Sequence, residues 1–523
     1  MNTMKKLICL MLALVMCLCV FAGCNGSTDK NPQDTDNSTT GGDATTGGDA
    51  TTAGDATTGG DDTDDDGFTR DDLEDYFPSM ETKEFVILSR STTAYEFETP
   101  KGNNLSGVDQ AIYNRNTEVE ERCNVELSVM PLAGEWNDRE VFLQAVRNNS
   151  MLTNSEYSLI ATHSVYLMSL AVEGMGHDFA DLPYINLSKR WWSGAFYEQS
   201  NYNGAQYLAF GDLAHTLYAY MMVMFVNNTL ADRYEIKDDL YDLALDGDWT
   251  YAKLQEYITK VTTNPDEEFE MRTFGFLTNG HSMRAFMTGF DKDWAVREAD
   301  GTHSMPSKIE ASIEAVAQSL VNLSTGVDQV YYSTEGVNGT GDQNDIFAEG
   351  RGLFYSQMLG QATYLKGVTN DDYGVMPFPK YDENQKEYRG GYCDDMTAVM
   401  IPYNCHDEDM VGVVTEMLAM VGWREVTDAY YEETLKYQSF NAPECVPILE
   451  LVRVNLSPTF TSVYGMILSG TSSMVANVIE SNIKNGANGT VANAYSTSIG
   501  TWRRQLRDLY ADLDQIAAER AAA

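Results

Sequence analysis

The chain has 523 residues, too many for one hydrophobic core, so two or more domains are expected. Its 78 acidic against 35 basic residues give a formal charge of −43, which argues against nucleic acid or an anionic lipid surface as a partner, because long-range repulsion would slow each encounter. Apolar residues make up 43% of the chain and aromatics 11%, ample for packed interiors, and the excess of acid is read as a solubility feature.

At the amino terminus Lys5 and Lys6 precede an apolar run, Leu7 to Phe21, which ends at Ala22-Gly23-Cys24. A basic start, an apolar stretch and small residues before a cleavage point make residues 1–23 a signal peptide. Cys24 directly after Ala-Gly resembles a bacterial lipobox, with Phe21 where leucine is usual. That motif implies a diacylated Cys24 as first mature residue and a membrane anchor made of lipid alone. Residues 24–79 repeat Gly, Asp, Thr and Ala with hardly a side chain that packs, so they are read as a disordered, charge-extended tether. Asp62, Asp64, Asp66 and Gly67 imitate the start of a calcium loop, but Leu73 stands where its closing glutamate belongs and Arg70 where a ligand is needed.

From Lys83 the pattern changes. Phe85–Leu88 is a strand leading into the polar loop Ser89-Arg90-Ser91-Thr92. Asp109–Cys123 is polar with scattered apolar residues and yields no assignment, and Val125–Met130 alternates as a strand does. A helix is expected over Asp138–Arg147, then a strand at Tyr157–Ala161 ending in Thr162-His163-Ser164. This is the rhythm of a doubly wound α/β sheet, whose ligands sit beyond the carboxyl ends of its strands. Arg90, Ser91 and His163 are candidate ligand contacts on that logic.

Next come ADLPYINLSKRWWSGAF (Ala180–Phe196), YNGAQYLAFGDL (Tyr202–Leu213) and MMVMFVNNTLADRY (Met221–Tyr234). Trp191 and Trp192 have two readings, packing under the sheet or offering a face to a sugar ring. Asp212 either accepts hydrogen bonds from ligand hydroxyls or caps the following turn. Asp246–Thr262 starts a helix at Trp249-Thr250, with Trp249 read as a packed residue, and Ile309–Leu323 carries another helical stripe. Gly336–Asp345 is a Gly-rich connector without the ending of a phosphate loop.

The stretch Phe347–Pro402 organises the rest. It holds short strands at Gly352–Ser356, Val375–Met376 and Thr397–Ile401, the last two stopped by proline. Its order of FAEGRGLF, YGVMPFPK, a stretch to Tyr392, and Ile401-Pro402 resembles the extracellular solute-binding lipoproteins (family 1 type) of Gram-positive ABC importers. The earlier LP-x-I, WW, GD and FVNN-x-L elements follow the same family's order, with Asn186 in place of an aspartate, and the likeness extends over about residues 82–452.

The resemblance implies an α/β, two-lobed periplasmic-binding-protein-like fold (type II, maltose-binding-protein-like) with a hinge between the lobes. Lobe one is expected at 80–218 plus 393–436 and lobe two at 219–392 plus 437–523. It implies a monomer outside the cell, captured solute handed to ABC permease subunits, and a carbohydrate, an oligosaccharide, as that solute. Tyr355, Gln357, Tyr392 and Asp394 are expected on loops facing the cleft, the tyrosines to stack and the others to bind hydroxyls. The rivals are a peptide or other solute, a surface glycoside hydrolase, and a glycan-binding adhesin.

After Pro402, helices are expected at Val411–Arg424, Asp428–Tyr437 and Thr501–Arg520, the last amphipathic through Trp502, Leu506, Leu509, Leu513 and Ile516. The chain has no H-E-x-x-H, C-x-x-C, G-x-S-x-G or Rossmann fingerprint, so no catalytic residues, metal or cofactor are assigned. Cys123, Cys393, Cys405 and Cys445 permit two disulfides, with Cys393–Cys405 the first pairing to test.

Overall fold

The structure, a computed structural model, describes residues 82–522 apart from 103–104, 106, 265, 335–341, 432–439 and 441–442. The leader, Cys24, the tether, most of the 336–345 connector and residues 432–437 of the expected helix Asp428–Tyr437 therefore lie outside the described residues; from Asp342 that connector is helical. All of the described residues fall in one compact unit, Asp61–Ala523.

Two sheets carry the fold. The first has four strands, β1 (Lys83–Arg90), β2 (Val125–Leu132), β3 (Leu159–His163) and, from far along the chain, β11 (Thr397–Met400), in the order β11-β3-β1-β2. β1 pairs in parallel with β2 and β3, and β11 runs against β3 so that Thr397 lies opposite His163. The chain returns between these parallel strands through α1 (Gly107–Cys123) and α2 (Arg139–Ser150). After β3 it turns directly into α3 (Ser164–Val172). α1 is the stretch that the apolar pattern left unassigned. Its buried face includes Arg115 and Asn116, which hydrogen-bond to Leu213 O, Glu96 O and Phe97 O, so burial there does not coincide with apolarity.

The second sheet has the order β10-β4-β9-β5-β8, from β4 (Met222–Asn227), β5 (Phe274–Thr278), β8 (Val330–Tyr332), β9 (Gly352–Met358) and β10 (Tyr373–Met376). β5 is parallel to β8 and β9, while β4 runs against β9 and β10. A two-stranded ribbon, β6 (Val296–Arg297) and β7 (His303–Ser304), stands apart. The helix α4 (Gly280–Gly289) begins at the carboxyl end of β5, capped by Asn279, whose side chain accepts from Ser282 N–H. Trp249 packs fully buried before its helix, its indole N–H donating 3.0 Å to Pro377 O.

The chain passes between the sheets along two adjacent segments. Residues 220–222 and 391–393 run antiparallel, with Met221 bridging Tyr392, Cys393 N–H donating to Tyr220 O at 2.8 Å and Met222 N–H to Gly391 O at 3.0 Å. The helix expected at Val411–Arg424 starts three residues earlier, as α5 (Glu408–Val421), where Asp407 caps it. It runs into the π-helical turn Gly422–Thr427, which packs on α1, and the chain then reaches α6 (Cys445–Val454) beside β10. The last helices are α7 (Met474–Asn485) and α8 (Val491–Ala522), the latter starting ten residues before the apolar stripe that announced it.

All four cysteines of the described residues are free thiols. The expected Cys393–Cys405 pairing is absent because β11 lies between them: its four residues hold the two at opposite ends of an extended strand, about 13 Å long at the rise of β-structure. Among the described residues, no helix is long and apolar enough to cross a membrane.

Candidate functional site

The carboxyl edge of the first sheet meets the carboxyl edge of the second at the paired crossing segments. Arg90 ends β1 and is buried, its guanidinium against the ring of His163, which ends β3. Asp395 comes from the segment entering β11. Its Oδ1 lies 3.1 Å from His163 Nδ1, and its backbone carbonyl accepts from Arg90 Nη2 at 2.8 Å. Burial alone would raise the Asp395 carboxyl, but the His163 hydrogen bond and the charges of His163, His281 and Arg90 outweigh it and hold it below the usual carboxylate range. From the second lobe, Arg284 on α4 donates to Asp394 at 2.7 Å, and His281 Nδ1 lies 3.5 Å from Cys393 Sγ. Burial and the neighbouring Arg284 push the His281 pKa down. Each arginine therefore meets an aspartate across or beside the junction.

Aromatic side chains line the same edge. Trp136, in the loop after β2, is 60% exposed, with its ring 6.4 Å from Tyr166 at an interplanar angle of 29° and the Arg139 guanidinium 4.7 Å from it. Tyr166 in turn packs 4.5 Å from the His163 ring. Tyr95, in the 3-10 turn after β1, is 49% exposed and packs against His215, which reaches Tyr430. Burial, then the charges of Glu96, raises the Tyr95 hydroxyl far above its ordinary pKa, so it stays a neutral donor. Within this row Tyr166 Oη and Asp395 Oδ2 are buried and have no protein hydrogen-bond partner. Such groups cost about 1–3 kcal/mol each when left unmet. The arrangement offers an exposed indole, tilted phenols and paired planar polar groups, a surface for stacking and for hydrogen-bonding hydroxyls.

Of the residues singled out by sequence, the structure brings Arg90, Ser91, His163 and Asp394 to this junction, with Ser91 exposed and its N–H on Leu132 O. The others are turned inward. Trp191 and Trp192 are buried in the first lobe with α5, and both indole N–H groups donate to Glu416 at 2.9 Å. Asp212 is buried and accepts from the Tyr218 and Thr427 hydroxyls, each at 2.6 Å, neither the ligand contact nor the turn cap. Tyr355 stacks within the second core between Phe225 and Phe347, its hydroxyl donating to Asn344. Gln357 is buried at the end of β9, where its Oε1 takes Met358 N–H, and Tyr392 packs on Phe196 within the crossing segment. β9 is buried on both faces, which takes Tyr355 and Gln357 inward, and the two indoles turn to a buried carboxylate on a distant helix that is not legible in a tryptophan pair. Trp136, Tyr95, Asp395, His281 and Arg284 were missed; the signal for Trp136 was available, an aromatic in a polar loop immediately beyond a parallel strand.

No family model matches the chain, and no curated protein matches it. Solved structures do. An ABC substrate-binding protein from Listeria monocytogenes in complex with cycloalternan superposes with a TM-score of 0.54 at 12% identity, over 82% of this chain and 99% of that one. The maltose/maltodextrin-binding domain of Bdellovibrio bacteriovorus bound to maltotriose gives 0.52 at 12% identity, over 81% and 100%. UgpB from Mycobacterium tuberculosis in complex with glycerophosphocholine gives 0.53 at 12% identity, over 82% and 99%. The chain has the two-lobed, mixed α/β fold of these maltose-binding-protein-like solute-binding proteins.

Proposed function

We propose that this chain is an extracellular solute-binding protein that captures a carbohydrate, an oligosaccharide, and delivers it to the permease of an ABC importer. The observation that carries this is the junction itself: an exposed Trp136 stacked on Tyr166 leads down to His163, Arg90 and Asp395, where two lobes meet at paired crossing segments. The neighbours of the same fold hold cycloalternan and maltotriose, and one holds glycerophosphocholine. Charge decides between them here. The arginines are already countered, Arg284 by Asp394 at 2.7 Å and Arg90 by Glu135 at 3.6 Å with the Asp395 carboxylate nearby, so neither guanidinium is held free for a phosphodiester.

Trp136, Tyr95, Arg90, Ser91, His163 and Asp394 are the contacts we assign, with lobe one at 80–218 plus 393–436, lobe two at 219–392 plus 437–523, and residues 220–222 and 391–393 as hinge strands. Ligand contacts made only in the closed arrangement drive closure. An acylated Cys24 and the 24–79 tether hold the monomer at the outer face of a Gram-positive membrane in this reading. It is a carrier and not a glycoside hydrolase. A hydrolase needs one protonated and one ionised carboxyl flanking the sugar; at the junction Asp395 is held ionised and its neighbour Asp394 is ion-paired with Arg284 at 2.7 Å. Among the described residues, burial also pushes up Asp212 to about 6 and Glu416 to about 7, both hydrogen-bonded inside the core, and Asp293, which accepts from Thr461 N–H.

A thermal-shift screen of the whole chain against neutral oligosaccharides, peptides and phosphodiesters tests this. A ligand at a hundred times its dissociation constant adds about 2.7 kcal/mol. We expect a neutral glycan to raise the melting point and to be recovered intact; a shift by peptides or phosphodiesters alone, or cleavage of the glycan, overturns the reading.

A further inference from the structure

Away from the junction, a second cluster of chemistry-bearing side chains lies on the first lobe. The loop after α3 and the loop after β11 are zipped together by backbone: Gly176 bridges Pro402, His177 N–H donates to Ile401 O at 2.7 Å, and Tyr403 N–H to Met175 O at 2.8 Å. The pairing fixes His177 beside Cys405 and beside Glu408, the first residue of α5. One donor atom from each lies within 4.8 Å of the other two, and His177 Nε2 is 3.5 Å from Glu408 Oε1.

We propose that His177, Cys405 and Glu408 form a binding site for a transition-metal dication, Zn²⁺ foremost. Tetrahedral zinc with bonds of about 2.0–2.3 Å sets its donor atoms about 3.3–3.6 Å apart, and the imidazole–carboxylate spacing already has that value. The imidazole is oriented for it. Its other nitrogen, Nδ1, lies 3.0 Å from the Asp178 carbonyl, so the Nδ1–H donates there and the Nε2 lone pair points at the cluster. A backbone carbonyl in that role is the usual outer partner of a metal-bound histidine. The donor set of thiolate, imidazole and one carboxylate selects a borderline-soft ion over calcium or magnesium, which take oxygen ligands. It leaves a fourth position open to solvent.

The junction holds a similar trio, His281, Cys393 and Asp394, and comparison with it sharpens the assignment. There the Arg284 guanidinium already sits 2.7 Å from Asp394 and 3.0 Å from His281 Nδ1, occupying the cation's place. The metal belongs to the cluster without an arginine in it.

The test is a Co²⁺ titration of the reduced full-length protein, read by the near-ultraviolet thiolate-to-cobalt charge-transfer band. We expect a band that Zn²⁺ bleaches, that is lost in Cys405→Ser and in His177→Ala, and that persists in Cys393→Ser. Glu408→Gln, on an exposed first helical turn, should weaken Co²⁺ affinity at least tenfold, within the ~10–100-fold span known for losing even an outer partner. No band in the parent, a band surviving in Cys405→Ser or His177→Ala, or one lost in Cys393→Ser overturns the proposal.

Discussion

Glu416 is buried among apolar side chains on α5 and accepts from the indoles of Trp191 and Trp192 and from Asn186 N–H. Burial raises its pKa to about 7, and those hydrogen bonds offset the rise only in part. An exposed glutamate titrates near ~4.3. Between the two values the folded chain keeps a proton that the unfolded chain has released. This group's contribution is therefore fully present below ~4.3 and is lost as pH rises through 7, roughly 4 kcal/mol in all. Glu416→Gln cannot titrate, so the stability gap between parent and variant should narrow between pH 5 and pH 8 in urea unfolding. A gap that stays constant means that Glu416 is ionised throughout. Trp136 tests the opposite case, a side chain that the core does not use. Trp136→Ala should leave the unfolding midpoint within about 0.5 kcal/mol and weaken glycan binding by about tenfold, equivalent to ~1.4 kcal/mol; unchanged binding removes the indole from the site. The two cases explain which part of the site could be read early. The Trp191-Trp192 pair attracted a ligand reading because a sequence shows the aromatic and not its partner, and Glu416 stands more than two hundred residues away.

The paired segments 220–222 and 391–393 are the element on which the two lobes depend, and Gly391 is their tightest point. A methyl there would meet Ala285 Cα on α4 at 2.6 Å, a backbone atom that cannot swing aside. Gly391→Ala should cost about 1–3 kcal/mol of overpacking. It should also weaken solute binding by displacing Cys393 and Asp394 from His281 and Arg284. Calorimetric unfolding with a parallel binding titration checks both, and full affinity in the variant would mean that the crossing segment does not position the site. Elements with strong local patterns, such as β1 and β3, were legible because burial on both faces demands near-continuous apolar runs. α1 was not, because Arg115 and Asn116 fill its buried face and satisfy backbone carbonyls there.

Across the whole molecule, α8 ties the lobes together. Its start joins the second lobe, with Tyr495 donating to Pro306 O at 2.7 Å and Arg503 to Met305 O at 2.8 Å. Its end joins the first, with Asp514 accepting from Tyr202 at 2.7 Å and the Arg520 guanidinium 4.5 Å from the Tyr207 ring. A helix shared in this way couples the lobes, so unfolding by circular dichroism and by tryptophan fluorescence should coincide in one transition. Trp502→Ala, buried in its middle, should lower that transition by about 3–5 kcal/mol; two separated transitions in the parent would refute the coupling. By itself the sequence determined an apolar segment after Lys5-Lys6, a Gly/Asp/Thr-rich composition over 24–79, the α/β rhythm and the place of Arg90, Ser91 and His163 at strand ends, since each follows from composition or local periodicity. Only the tertiary structure decided which aromatics reach the junction, which carboxylates are consumed in the core, and that Arg284 and Asp394, 110 residues apart, meet there. Those outcomes depend on the order in which strands assemble into sheets, and contacts between distant segments leave no periodic trace along the chain.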